Sequence, residues 1–303
     1  MFDREAEQIV DNLLLDLAQE PPPHISYHYT TDVGLQGILE SGKLWLTDIF
    51  ALNDPSELRH GYKLAIDILD EQAKSGPDEY LGFAEVFKTV LNEKFKEIAH
   101  YFICSFSEHG DNLGQWRAYA DDGRGYVLGF DTTVLEKQFL AAATSSGGVF
   151  RVTYNDEALK EIYRPIIEKW LPLTLLPRDK NLSQNVLKMY KVNLFILLTK
   201  YVFYVSSFFK HVAYKDETEY RFLESQSADT LLVPQYRARH YSLIKYKEFD
   251  WKSAGLDVLK KIVIGPAADF EKSKRFAKDC LREAGIDLAD DAITQSQIPY
   301  KPA

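Results

Sequence analysis

The sequence predicts a single α+β domain, and three observations lead to this prediction. Apolar and polar side chains alternate in several short segments, as in half-buried strands, while other segments repeat apolar side chains at helical spacing. The two kinds of segment do not follow the regular order of a doubly wound sheet. The 303 residues, 46% of them hydrophobic, supply a sizeable core without an internal repeat or a linker. We therefore predict an N-terminal amphipathic helix over residues 1–20 and one domain over residues 24–303, with a central mixed or antiparallel β core and inserted helices.

The first half of the chain begins with apolar residues at helical spacing, and Pro21 to Pro23 end this pattern. Further on, Thr31 or Asp32 is suited to cap a short helix through its side-chain oxygen, and Gly42 is suited to end it. A turn is expected at Asn53-Asp54-Pro55. The predicted strands are 25–30, 43–47, 101–107 and 125–130, and the predicted helices are 56–74, 79–98 and 113–120.

The second half contains a long helical region, roughly 156–209, with breaks near Pro172 and Pro177. Its last part is strongly apolar, but Lys200 interrupts it, and a membrane-spanning helix needs about 20 continuous apolar residues. We therefore expect this helix to be buried in the protein core. The predicted strands are 149–154, 218–224, 229–234, 241–249, 261–264 and 292–298, and a helix over 268–284 ends at Gly285.

Composition excludes several classes of protein. The 45 acidic and 36 basic residues give a net charge of −9, which disfavours nonspecific nucleic-acid binding but leaves room for a local basic cleft. Cys104 and Cys280 are too few for a disulfide framework or a zinc site, so we expect no metal, and Cys104 lies in an apolar run that predicts an inert buried thiol. The N-terminus lacks the apolar segment of a signal peptide. These features predict a cytoplasmic protein without membrane association.

No strong catalytic motif is present: the sequence has no P-loop, dinucleotide fingerprint, nucleophile elbow or HExxH helix. Its distinctive segments are short and polar or aromatic. They are Tyr27-His28-Tyr29-Thr30 with Gly34 to Trp45, Leu52-Asn53-Asp54-Pro55, Ile103 to Ser107 with Gln115 to Ala120 and Gly125 to Phe130, Phe209-Lys210-His211 with Tyr214 to Phe222, and Ser296 to Lys301.

Taken in this order, from about residue 26 to 301, the segments resemble the bacterial family called domain of unknown function 2971 (DUF2971), whose name implies no activity. A more distant resemblance is to the ADP-ribosyltransferase superfamily. It rests on a strand with His28, a strand with Ser105 and a late strand with a Glu-x-Glu pair, Glu217 and Glu219. The opening segment is similar to DNA-modifying members of toxin–antitoxin pairs and to RNA 2′-phosphotransferases. This resemblance implies a bacterial defence or toxin setting, with a protein or nucleic acid as acceptor.

The superfamily resemblance implies that NAD is the substrate. Cleavage of the nicotinamide–ribose bond builds positive charge on the ribose, and a nearby carboxylate stabilises that charge. Residues two apart on a strand share a face, so Glu217, Glu219 and Arg221 are expected to point together, away from Tyr220 and Phe222. We expect Glu219→Gln to leave folding nearly unchanged. The implied catalytic residues are Glu219, Glu217 and His28, and the implied NAD-binding residues are His28, Tyr29, Thr30, Ser105, Trp116, Tyr119 and Arg221.

Each of these residues also has a structural explanation. In this explanation, Glu217, Glu219 and Arg221 form a charged ladder on an exposed strand, and His28 and Ser105 are ordinary strand residues. The Trp116–Tyr119 pair would then pack in the core, and Lys210 would complement the dipole of the preceding helix.

Two other functions remain open at this point. One is RNA 2′-phosphate transfer, with Arg117, Arg124 and Arg221 as phosphate ligands, and the other is a non-catalytic binding or regulatory module. The test between them is whether His28, Glu219 and the Trp116–Tyr119 pair line one cavity.

Overall fold

All ten strands in the described part of the chain belong to one mixed sheet, and the helices pack on both of its faces. The computed structural model describes residues 21–52, 56–93, 99–143, 146–175, 183–227, 235–239 and 241–301. The predicted N-terminal helix, the strand over 229–234 and Asn53-Asp54-Pro55 lie outside these residues. The strands are β1 Ile25–Thr30, β2 Lys43–Asp48, β3 Ala99–Ser107, β4 Tyr126–Asp131, β5 Ser146–Arg151, β6 Glu219–Ser227, β7 Gln235–Arg239, β8 Ser242–Asp250, β9 Leu259–Ile264 and β10 Ile293–Gln295.

The sheet has the order β10-β9-β4-β1-β3-β2-β8-β7, with β6 also paired to β3 and β5 paired to β6. Only β9 and β10 are parallel among the named strand pairs of the described residues. The helices are α1 Asp32–Ser41, α2 Ser56–Lys74, α3 Asp78–Glu93, α4 Leu113–Tyr119, α5 Thr132–Ala142, α6 Asp156–Trp170, α7 Gln184–Ser206 and α8 Phe270–Glu283. The α+β prediction is confirmed.

Strand β3 is the point at which the sheet divides. Along one edge it pairs with β6 over its full length, from Ala99↔Ser227 to Ser107↔Glu219. The opposite edge is shared, because β1 pairs only at Ser107 and β2 pairs only at residues 102 and 103. Between these contacts, residues 104–106 have no partner on that edge among the strands that the structure describes. The sheet therefore opens between β1 and β2.

Helix α1 connects β1 to β2, and it has the predicted capping residues at both ends. The Thr31 hydroxyl accepts a hydrogen bond from the Gly34 N–H, and Gly42 ends the helix in the left-handed region at φ 69°. A residue without a Cβ adopts that conformation at no steric cost, so Gly42 can turn the chain directly into β2.

Side chains pack on both faces of the central strands. On one face Tyr101 and Ile103 of β3 join a cluster formed with α2, α3, α6 and α7. On the other face Phe102 and Cys104 join a cluster formed with α1, α5 and α8. Burial raises the pKa of the Cys104 thiol to about 12, so this cysteine is the inert residue that was predicted. No helix in the described residues is long and apolar enough to span a bilayer, and α7 packs in the core through Leu194, Leu198 and Phe203.

Some elements differ from the prediction for physical reasons. Helix α5 was not predicted because Asp131 serves both as the last residue of β4 and as the N-cap, so no turn residue separates the two elements. Strand β7 was not predicted because it is a largely exposed strand at the end of the sheet path and has no apolar face. The last strand is shorter than expected, and α7 ends at Ser206, three residues before the predicted 209.

Two glycine substitutions test the packing around β1. A Cβ at Gly125 would lie 2.3 Å from the Thr30 carbonyl oxygen, whereas a Cβ at Gly82 in α3 meets nothing within 4 Å. We expect Gly125→Ala to lower the free energy of unfolding by about 1–3 kcal/mol through overpacking. Gly82→Ala should raise it by up to about 1 kcal/mol, because alanine favours the helix. Urea unfolding measures both, and equal values for the two variants would contradict the close approach at Gly125.

Candidate functional site

A cavity of about 910 Å³ occupies the opening in the sheet. It is lined by β1, by the face of α1 that bridges β1 and β2, by the unpaired residues of β3, and by side chains from β6, β7 and the 3₁₀ helix Val212–Glu217. Its volume is in the upper part of the range of roughly 300–1,000 Å³ that small-molecule sites have. Strands β1, β3 and β6 thus contribute side chains to one cavity.

Strand β6 presents its charged side chains to this cavity. Glu219 and Arg221 line it, while Tyr220 and Phe222 point to the opposite face and pack in the core. Arg221 binds both carboxylate oxygens of Glu219, with Nε 2.7 Å from Oε1 and Nη2 2.9 Å from Oε2. The two residues are only 2% and 6% exposed. The ladder on an exposed strand is therefore the wrong explanation for these charges.

Lys210 completes the charged cluster, which we define as Lys210, Glu217, Glu219 and Arg221. Its ammonium group binds the Glu217 carboxylate and lies 3.3 Å from Oε2 of Glu219. Lys210 is 6% exposed, and it follows α7 by four residues, so it does not complement that helix dipole as one alternative held. Two acidic and two basic groups give the cluster no formal net charge.

The ionisation of Glu219 follows from these neighbours. Burial alone would raise the pKa of its carboxyl group, but the charges of Arg221 and Lys210 and the hydrogen bonds from Arg221 and Ser105 lower that pKa to about 2. Glu219 is therefore a carboxylate at neutral pH, with two cations and a hydroxyl group bound to it.

His28 has a defined proton position. Its Nδ1 lies 3.2 Å from the Ser105 carbonyl oxygen, in the unpaired part of β3. Since a carbonyl can only accept, Nδ1 carries the proton, and burial lowers the pKa of the ring so that it is neutral at pH 7. In this tautomer Nε2 has a free lone pair, which makes it a hydrogen-bond acceptor in the cavity wall.

The Trp116–Tyr119 pair is divided between the core and the cavity. Trp116 is fully buried, contacts Tyr29 edge to face at 5.0 Å and donates from Nε1 to Asp111, and it does not line the cavity. Tyr119 is 38% exposed and does line it. The expected ring stacking can therefore involve Tyr119 but not Trp116, because helix α4 turns the tryptophan inward. Tyr29, Thr30 and Ser105 also line the cavity.

Sequence reasoning missed a basic and aromatic part of the cavity wall. Arg237 and Arg239 of β7 line the cavity together with Trp45 of β2. The Arg237 guanidinium lies 5.0 Å from the Trp45 ring centre and donates to the Thr47 hydroxyl at 3.0 Å. The two arginines are two residues apart, which would place them on one face of a strand, but no strand was predicted at these residues.

Two of the predicted phosphate ligands lie elsewhere. Arg117 and Arg124 are more than half exposed, pair with Asp122 and Asp121, and do not line the cavity. Within the described ranges, no group of three or more histidine, cysteine or acidic side chains could hold a metal ion.

Comparison with known proteins gives one match. Residues 115–222 match the family described as "Protein of unknown function (DUF2971)". This stretch includes Tyr119, Lys210 and the start of β6, and so it contains the whole charged cluster. No curated protein and no solved structure matches the chain. The match supports the resemblance to DUF2971 over this part of the chain, and the more distant resemblance to ADP-ribosyltransferases stays a prediction.

Glu219→Gln is expected to destabilise the protein, contrary to the sequence-based expectation of unchanged folding. The substitution leaves Lys210 and Arg221 buried with less negative charge beside them, and breaking a buried ion pair in this way costs about 3 kcal/mol or more. The matched control is Glu157→Gln, which breaks an exposed pair with Lys160 and should leave the free energy of unfolding nearly unchanged. Equal free energies of unfolding for the two variants would contradict this description of the cluster.

The same carboxylate should make stability depend on acid pH. The pKa of Glu219 is about 2 in the folded protein, against a reference value of 4.5. Its contribution is therefore complete above about pH 4.5 and is lost as the pH falls towards 2. We expect the difference in unfolding free energy between the wild type and Glu219→Gln to shrink over this interval. A difference that stays constant between about pH 6 and pH 3 would show that Glu219 is not held in its ionised form.

Proposed function

We propose that the cavity binds NAD and that the protein is an ADP-ribosyltransferase-like enzyme that cleaves the nicotinamide–ribose bond. One observation carries the proposal: a single cavity is lined by residues from four separate segments of the chain, namely His28, Ser105, Tyr119 and the pair Glu217 and Glu219. The superfamily resemblance implies these five residues as site residues together with Tyr29, Thr30 and Arg221, which also line the cavity, and Trp116, which does not. The acceptor of the ADP-ribosyl group is a protein or nucleic acid in this proposal.

In the proposed mechanism, Glu219 stabilises the positive charge that develops on the ribose as nicotinamide leaves. The carboxylate is ionised under all physiological conditions, and its neighbours fix its position. Glu217 is less deeply buried than Glu219, with 18% of its side chain exposed, and it lies closer to the cavity entrance in this scheme, where it orients the acceptor. Both carboxylates share Lys210, so a movement of one changes the charge felt by the other.

The hydrogen bonds of Glu219 define how the ribose would have to bind. A carboxylate offers about four acceptor positions. Arg221 takes two, and Lys210 and Ser105 take the others. A ribose hydroxyl can therefore reach Glu219 only by replacing one of these donors. Ser105 is the donor whose loss costs least, because its hydroxyl carries no charge.

The other contacts to NAD follow from the cavity wall. The acceptor lone pair on Nε2 of His28 suits a second ribose hydroxyl. The exposed ring of Tyr119 offers a surface on which nicotinamide or adenine can stack. Tyr29 supports this wall from behind, since its hydroxyl group bonds to the backbone of His109 and Asn112.

A second candidate function is a non-catalytic binding module. The observation that favours it is the complete pairing of Glu219, since a carboxylate with two cations bound resembles a structural ion network. In that case the cavity binds a ligand but NAD remains intact. RNA 2′-phosphate transfer has less support, because Arg117 and Arg124 do not line the cavity.

Release of nicotinamide from NAD distinguishes the two functions. We expect the wild type to release nicotinamide, with water taking the ADP-ribosyl group in the absence of another acceptor. Glu219→Gln should do so about two to three orders of magnitude more slowly, because the charge is lost while the shape is kept. The assay is run well below the melting temperature of each variant, with circular dichroism to establish that the protein is folded. Glu157→Gln on the exposed face of α6 is the control and should match the wild type.

Three outcomes would contradict the enzymatic proposal. They are no release by the wild type, an unchanged rate in Glu219→Gln, and a loss of activity that disappears once the folded fraction is taken into account. The first outcome favours the binding module.

A further inference from the structure

Arg237 is a partly buried cation that has no counter-ion among the described residues. Its Nη2 donates to the Thr47 hydroxyl, but its Nε is buried and finds no hydrogen-bond partner in the described part of the chain. In the part of the chain that the structure describes, no carboxylate lies within ion-pair distance of this guanidinium. Glu248 lies opposite Trp45 in the β2–β8 register and lines the same cavity, yet it does not pair with Arg237.

The surroundings make this position costly for a positive charge. Burial and then the charge of Arg239, two residues along the strand, lower the pKa of Arg237. The Trp45 ring offers a cation–π contact to the guanidinium face, but such a contact does not satisfy an N–H in the guanidinium plane. A buried donor without an acceptor costs free energy that a bound acceptor would recover.

Arg237 and the charged cluster line the same cavity. Glu219 lies on β6, which pairs with one edge of β3, and Arg237 lies on β7, which the sheet order places beyond β2 and β8 at the other edge. Both side chains line the cavity at the unpaired part of β3. A ligand that contacts Glu219 can extend to Arg237 within one cavity of about 910 Å³.

We propose that Arg237, Arg239 and Thr47 form a subsite for a phosphate or pyrophosphate group, with the Trp45 ring holding the Arg237 guanidinium in position. The planar guanidinium suits two parallel hydrogen bonds to phosphate oxygens, and the unpaired Nε is one of the two donors required. The subsite rests on the proposed function only for the identity of its natural ligand. In NAD it takes the pyrophosphate, whose oxygens accept hydrogen bonds from the Arg237 guanidinium.

Inorganic pyrophosphate is the probe for this subsite. In thermal unfolding at constant ionic strength, pyrophosphate should raise the melting temperature of the wild type more than sodium chloride does. Arg237→Gln should bind pyrophosphate and NAD at least about tenfold more weakly, and should leave the weaker binding of adenosine unchanged. The control is Arg124→Gln, which removes an exposed arginine that pairs with Asp121, and it should bind as the wild type does.

Two further readouts separate binding from a structural role. Without ligand, Arg237→Gln should melt at or above the wild-type temperature, because it removes an uncompensated cation and keeps a donor for Thr47. Arg237→Lys should recover part of the pyrophosphate binding, since it keeps the charge without the guanidinium plane. A lower melting temperature in both variants, with unchanged pyrophosphate binding, would assign Arg237 a structural role and overturn the proposal.

The outcomes also separate the subsite from the enzymatic proposal. If pyrophosphate binding depends on Arg237 but no nicotinamide is released, the subsite stands and the NAD-cleaving function fails. If nicotinamide is released but Arg237→Gln binds NAD and pyrophosphate as the wild type does, the function stands and the subsite fails. Pyrophosphate that stabilises the wild type no more than sodium chloride does also overturns the subsite.

Discussion

The buried charges of Lys210, Glu217, Glu219 and Arg221 impose the main constraint on this fold, because they must compensate one another away from water. The alternation along β6 places Glu219 and Arg221 in the cavity wall and the intervening aromatic side chains in the core. The chain that supplies Lys210 is held close by the bond from Arg221 to the Ser207 carbonyl. The packing of β6 and the chemistry of the cavity therefore depend on the same ion pairs.

The second constraint is the divided edge of β3, which provides the space that these charges face. His28 holds this edge where it has no partner among the described strands, because its ring binds the Ser105 carbonyl. Next to this stretch, the Ser107 hydroxyl donates to the carbonyl of Glu217. The C-terminal segment is hydrogen-bonded to the region of helix α4 through Asp111. The Asp111 carboxylate accepts hydrogen bonds from both the Trp116 indole and the Ser296 hydroxyl. The segments Tyr27 to Thr30, Ile103 to Ser107 and Lys210 to Arg221 thus meet around one opening, although Trp116 contributes to the support of the cavity and not to its surface.

Sequence reasoning predicted the elements whose signals are local. Thr31 and Gly42 are recognisable caps, and the alternation along β6 gave the cavity-facing Glu219 and Arg221 correctly. Glu217, expected on the same strand face, lies instead in the 3₁₀ helix Val212–Glu217, because Thr218 adopts the left-handed region at φ 42° and β6 begins only at Glu219. Sequence reasoning also did not predict the role of Lys210, because an ion pair with Glu219 depends on how the end of α7 packs against β6. Arg237 was missed for a similar reason, since an exposed strand has no apolar face and is defined only by its pairing with β8. Long-range pairing, which a single sequence does not contain, accounts for both omissions.

The most direct test of the central claim is a crystal structure with a non-hydrolysable NAD analogue. We expect the analogue in the opening of β3, with a nicotinamide-ribose hydroxyl at hydrogen-bond distance from Glu219 in place of the Ser105 hydroxyl, and the pyrophosphate at Arg237. An analogue bound elsewhere, or a cavity that stays empty at saturating analogue concentration while the ion pairs of Glu219 remain intact, would contradict the claim.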